Sequence, residues 1–243
     1  MKKKPFPSYL HHHHAPEAIV QRLKQKKKVS YLRDFIYGAI DGTVTTFAVV
    51  SGANGANLEI KTVLILGFAN LIADGFSMAA SNYLGTKAES DEFILLEHFE
   101  KNEINQFPEG EKEEVRQILM SKGFKGSLLE EAVTVIVSNP KQWISLMLNE
   151  EYGVNGKKKS ALRAGFITFI SFFIFGLIPL FPFLFKTQHS FMIASILTSI
   201  AFFSVGSLKS LWTIDSLWFS GLKTLILGAI ASLLAYGAGV FLS

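Results

Sequence analysis

The chain has 243 residues, is 49% hydrophobic with 22 phenylalanines, and is only 18% charged, a balance that excludes an ordinary soluble domain and points to the membrane class. It contains no cysteine, which rules out disulfides and thiolate metal sites and leaves the redox compartment open. The formal net charge is +4, and where the charges stand says more than the total.

The apolar residues gather near 35–57, 62–85, 161–185, 190–208 and 218–242, each close to the roughly 20 residues a helix needs to cross hydrocarbon. Lipid offers no partner to unpaired backbone groups, so uninterrupted apolar blocks predict helices. The expected fold is an all-α membrane protein of five transmembrane helices. Its parts would be a basic tail over 1–33, spans one and two over 34–85, an inserted helical domain over 86–160, and spans three to five over 161–243.

Residues 1–33 are polar and basic, without the form of a cleavable signal peptide. Lys2 to Lys4, Arg22, Lys24, Lys26 to Lys28 and Arg33 precede the first span, and Lys157 to Lys159 with Arg163 precede the third. The positive-inside rule then places the tail and the 86–160 segment in the cytoplasm. Five spans put the C-terminus outside, with the short links at Leu58 to Lys61 and Lys186 to His189 also outer. Such a tail fixes orientation or touches anionic lipid rather than nucleic acid. The His11 to His14 tract is assigned no role.

The first span, Asp34 to Asn57, carries Asp41 together with Thr43, Thr45, Thr46, Ser51 and Asn54. A carboxylate inside a membrane helix costs about 2.5 to 3.5 kcal/mol on insertion scales, so it normally faces a protein interior or a wet pathway. Asp41 is therefore a candidate site; the plainer alternative is that it snorkels to the headgroups. In the second span Asn70, Asp74 and Met78 are spaced i, i+4, i+8 along one face, with Ser77, Ser81 and Asn82 nearby. Here the alternatives are interhelical glue for the polar groups and packing for Met78.

The helix is expected to run past Gly85 into water. Phe107-Pro108-Glu109-Gly110 ends it and starts another, which Gly123 closes. Ser127 with Glu130 has the form of a capping box for a third, and Asn139-Pro140 opens a fourth that closes near Gly153. On these helices Glu97, Glu100 and Glu103 lie three apart, as do Glu111 and Glu114, while Met147 and Glu151 lie four apart. Each set offers ligands on one face, and carboxylates with an optional thioether suit Fe(II) or Mn(II). A solvated acidic face is the competing reading of the same pattern. In the last span Gly228, Ala229, Ala235, Gly237 and Gly239 suggest a tightly packed face.

Taken together, DFIYGAIDGTVTTFAVVSGANGA, the FSMAASNYLGTKAE segment, an acidic insert containing NPKQW and a third span with LIPLFPF resemble the vacuolar iron transporter family, from residue 33 to the C-terminus. The resemblance implies a homodimer that moves Fe(II), often also Mn(II), out of the cytoplasm in exchange for protons, with a pathway at the dimer interface. It implies that Asp41 and Met78 are the intramembrane site and that Glu100, Glu103, Glu111, Glu114, Met147 and Glu151 are cytoplasmic metal ligands. Zn(II) or other divalent ions could occupy the same sites, and no permanently bound cofactor is expected. Asn70 departs from the family, whose best-known eukaryotic members have glutamate there; Asp74, one turn along, is the candidate replacement. A membrane ferroxidase is disfavoured because His98 has Leu95 rather than a glutamate three residues before it. A non-transporting metal sensor or scaffold is the main alternative. The compact length favours a bacterial inner membrane.

Overall fold

The structure, a computed structural model, describes residues 15–24, 29–154 and 159–243. The tract His11 to His14 and the lysines at 2–4, 26–28 and 157–158 lie outside the described residues. The elements are α1 (Pro16–Lys24), α2 (Leu32–Gly55), α3 (Ile60–Gln106), α4 (Pro108–Ser121), α5 (Gly126–Val137), α6 (Pro140–Glu150), α7 (Ala161–Leu184), α8 (Ser190–Lys209), a 3₁₀ turn at Ser210–Trp212 and α9 (Leu217–Leu242). Five of them, namely α2, α3, α7, α8 extended by the 3₁₀ turn, and α9, are long and apolar enough to cross a membrane. Their ends fall within a few residues of the expected spans, except that α3 runs on past the second span to Gln106. The protein is a multi-pass membrane protein with an all-helical fold.

The chain divides into two compact units, Met1–Tyr83 with Ala161–Ser243, and Leu84–Ser160. In the first, α2 is the central helix and packs on α7, α8 and α9. Gly38 and Gly42, one turn apart, allow this: a methyl group on either would run into the α7 backbone, at the Thr168 carbonyl for Gly38 and the Phe172 carbonyl for Gly42. Small residues at this spacing let membrane helices approach by backbone, where lipid supplies no hydrophobic drive for association. Phe172, Leu180, Val50 and Leu71 lie fully buried at the centre of the resulting core.

The membrane portion of α3 presents Val63, Gly67, Leu71 and Gly75, spaced by four, as its buried stripe. Residues beside the stripe are partly covered, and the outer side is open, with Ile65, Ile72 and Phe76 well exposed. Helix α7 continues through Pro179 and Pro182 to Leu184. The Ser190 hydroxyl donates to the Pro182 carbonyl at 3.2 Å, satisfying one acceptor at that helix end. The small residues of α9 divide, contrary to a single packed face: Gly228 meets the Phe202 ring and Gly239 the backbone of Gly52, whereas Gly237 meets nothing and Ala229 is exposed.

In the second unit α3 runs unbroken past Gly85 to Gln106. Pro108 occupies the first turn of α4, where its missing N–H costs nothing. That helix ends in a Schellman closure: Gly123, at φ +96°, donates to the Met120 carbonyl at 2.9 Å, and Phe124 donates to Leu119 at 3.1 Å. The Asn139 side chain caps α6 by accepting from the Gln142 N–H. The expected Ser127–Glu130 capping box does not form; α5 starts two residues earlier, with Lys125 at the N-cap and no side-chain cap. Glu130 instead takes a bidentate pair from Arg116, at 2.8 and 3.0 Å. The guanidinium gives the Glu130 carboxylate two charge-assisted bonds where the cap contact would give one. Val115, Leu119, Leu129, Val133, Trp143 and Met147 form the core of this unit.

Candidate functional site

The residues singled out in the first two spans meet along the shared edge of α2 and α3. Asn70 donates to the Thr45 hydroxyl at 3.4 Å, and Thr45 donates to the Asp41 carbonyl at 2.9 Å. One turn away, Asp41 lies within electrostatic reach of Asp74. The helices run antiparallel here, so Thr45 stands by Asn70 and Asp41 by Asp74. Asn70, Asp74 and Met78 are partly buried rather than enclosed, and they flank the Val63–Gly75 stripe that faces the bundle. Met78 also packs against the central apolar cluster, so its packing role is real whatever else its sulfur does.

Continuing in the same direction, Asn82 meets Asp34. Asn82 Nδ2 donates to Asp34 Oδ1 at 2.9 Å and to Thr168 Oγ1 at 2.7 Å, and Thr168 in turn donates to the Ala164 carbonyl at 3.0 Å. Asp34 is 1% exposed and Thr168 equally buried, so this is an interior node joining α2, α3 and α7. Sequence reasoning passed over Asp34 because an acid in the first turn of a helix is an ordinary start signal. Asn82, spaced four from Met78, was the available hint.

The second unit gathers acids of its own. Glu100 of α3 is 1% exposed and Glu111 of α4 is 7% exposed, and the two pair, with a protonated Glu100 carboxyl donating to the Glu111 carboxylate. Burial, the hydrogen bond to Glu111 and the charges of Glu111, Glu151 and Glu114 push Glu100 up to about 8. Glu111 is raised by burial and by Glu151 and Glu103, against the Glu100 hydrogen bond, which lowers it. Glu114 is raised by burial, then by Glu111, Glu151 and Glu103. Five of the six expected ligands are thus one electrostatic group drawn from α3, α4 and the end of α6. Met147, the sixth, is fully buried in the apolar core, one turn before Glu151, whose N–H donates to its carbonyl at 2.9 Å.

Two features of the cluster differ from the spacing argument. Glu97 stands apart: it is exposed and lines a separate cleft with Lys141, Ser145 and Phe93, because the three-residue step turns it away from Glu103. Tyr152 joins the cluster unannounced, held above the usual phenol range by burial, then by its neighbour Glu151 and the charges of Glu100 and Glu111. Among the described residues no three carboxylate or imidazole groups are closed into a ready-made coordination sphere. Oxygen atoms Glu100 Oε1 and Glu111 Oε2 are nonetheless buried without a hydrogen-bond partner. Buried acceptors of this kind are costly unless protonated or met by a cation.

The sequence model of the VIT family matches residues 32–240. A vacuolar iron transporter from Plasmodium berghei is 33% identical, over 87% of this chain and 82% of its own length. Vacuolar iron transporter 1 of Eucalyptus grandis is 33% identical over 89% and 91%, and that of Oryza sativa subsp. japonica is 31% identical over 95% and 90%. These are names of transporters, and the enzyme alternative falls with them. Matched along nearly its whole length, the chain belongs to the VIT family.

Proposed function

We propose that the protein carries Fe(II), and also Mn(II), out of the cytoplasm in exchange for protons, as a homodimer. The observation that carries the reading is the meeting of Asp41, Thr45, Asn70 and Asp74 along the edge of two membrane-spanning helices, partly covered and open on the side away from the bundle. Polar groups in hydrocarbon require a protein or water partner, and a second copy of α3 supplies one for Asp74, Ser77 and Ser81. Metal-ion transport accords with the names of the relatives, and the orientation rests on the positive-inside rule. The relatives named above are plant and Plasmodium proteins, and they lend nothing to a bacterial inner membrane.

In this reading Asp41 and Asp74, with Met78, hold the ion in the spans. A carboxylate must be deprotonated to bind a metal, so protons arriving from the far side displace it. A thioether nearby disfavours Mg(II) and Ca(II), which take oxygen alone. The inserted unit, tied to spans at both its ends, is the cytoplasmic collector. Glu100, Glu103, Glu111, Glu114 and Glu151 concentrate the cation and replace its hydration oxygens, and the Met147 sulfur is the soft ligand beneath them. Zn(II) competes for the same groups.

The test is Fe(II) and Mn(II) flux into proteoliposomes under an imposed pH gradient. Gradient-dependent flux that vanishes with Asp41→Ala and weakens when Glu100 and Glu103 are both changed to Ala supports the exchanger with a collector. Absence of flux for either ion, with metal still bound by the intact protein, would make it a sensor.

A further inference from the structure

Helix α1 buries none of its residues, and Val20 and Leu23 are 51% and 76% exposed. At about 100° per residue, Pro16, Ile19, Val20 and Leu23 fall within one arc of the helix. Arg22 stands at one border of that arc and Lys24, with Glu17 beside it, at the other, and Ala18 and Gln21 lie opposite. Cations bordering an apolar stripe can bury their stems beside it and reach outward with their heads, which fits a charged interface better than a protein core.

The position of α1 in the chain narrows what covers this face. Only residues 25–31 separate it from α2, a reach of at most about 25 Å, so it stays near one end of the first span. That end carries an exposed Arg33 whose guanidinium lies 5.2 Å over the ring of Tyr37, itself 52% exposed. Arginine and tyrosine in such a place mark the headgroup level of a bilayer. A helix this short binds a membrane weakly when free, but the tether makes its binding intramolecular.

We propose that α1 lies in the headgroup layer of an anionic leaflet, with Ile19, Val20 and Leu23 at the acyl boundary and Arg22 and Lys24 on lipid phosphates. It is a surface anchor beside the first span, specific for negatively charged lipid. Each basic residue near such a surface contributes about fivefold to partitioning, so Arg22→Gln with Lys24→Gln lowers it about thirtyfold.

The absence of native cysteine allows single nitroxide labels at Leu23→Cys and Gln21→Cys in the full-length protein. The labelled proteins are reconstituted into phosphatidylcholine liposomes with or without phosphatidylglycerol. The expected result in anionic liposomes is a Leu23 label accessible to oxygen and shielded from a nickel chelate, with the Gln21 label showing the reverse. In neutral liposomes, or with the two glutamine substitutions, the Leu23 label moves toward water. The proposal is overturned if the Leu23 label is water-exposed in anionic lipid. It is equally overturned if that label is shielded from both reagents, as when docked on protein, or inserted equally in neutral lipid.

Discussion

Glu100 and Glu111 set two carboxyl groups against each other in a buried corner of the inserted unit, where the protonated acid of Glu100 donates to the carboxylate of Glu111. Glu100 is raised from its usual 4.5 to about 8, so the folded state keeps a proton that the unfolded chain releases. Stability from this group is therefore full below the usual value and falls as pH rises toward about 8. Thermal unfolding of the metal-free protein is expected to show a midpoint that declines over that window. Glu100→Gln should flatten the decline and raise the midpoint at its alkaline end; an unchanged slope in the variant would contradict the pairing. Metal must displace the same proton, so Mn(II) affinity should rise with pH over this window, with proton release measurable by calorimetry in two buffers.

Met147 permits a separation of packing from ligation. It is fully buried among Val115, Leu119 and Trp143. Met147→Leu keeps the volume and should cost less than about 1.5 kcal/mol, whereas Met147→Ala should cost about 2 to 5 kcal/mol. If the sulfur is a ligand, the leucine variant loses affinity for Fe(II) while its unfolding curve stays close to that of the parent. Unchanged affinity in a stable leucine variant assigns Met147 to the core alone.

Asp74 is expected to supply the carboxylate that Asn70 lacks. Asp41→Asn and Asp74→Asn should each reduce proton-driven flux by at least about tenfold, as losing a charged ligand typically costs more than 1.4 kcal/mol. Normal transport by Asp74→Asn beside a dead Asp41→Asn would sink the assignment. Asn70→Glu, which restores a carboxylate at that position, should then recover flux in the Asp74→Asn background.

Asn82 donates to both Asp34 and Thr168, so Asn82→Ala removes a buried donor from two acceptors at once. The expected loss is about 1 to 3 kcal/mol, read as a lower unfolding midpoint in detergent. Thr168→Val should lose part of the same energy, and the double variant less than the sum, since the two residues form one network. Strict additivity would show that they act independently.

Much of the architecture could be read from residue order. The apolar blocks located the five spans, and Pro108, Gly123 and Asn139 marked helix ends that formed where expected, because each acts through its own backbone or its near neighbours. Ser127 and Glu130 did not, because Arg116, on another helix, offered Glu130 a stronger partner. The acidic cluster was partly legible: the Glu100, Glu103, Glu111 and Glu114 spacings pointed to shared faces, while Glu97 was grouped with them and stands elsewhere.

The sequence by itself determined the helices, the span count and the presence of costly carboxylates, since the bilayer and the peptide backbone impose those rules locally. Only the tertiary structure decided which carboxylates meet. Asp41 lies within electrostatic reach of Asp74, Asn82 joins Asp34 to Thr168, and Glu100 lies buried against Glu111, because such encounters depend on the rotation and register of one helix against another. In the spans those are fixed by where Gly38 and Gly42 let α2 approach α7 and by which stripe of α3 the bundle covers, and in the inserted unit by the packing of its own helices around Val115, Leu119 and Trp143, quantities that no single helix carries in its own periodicity.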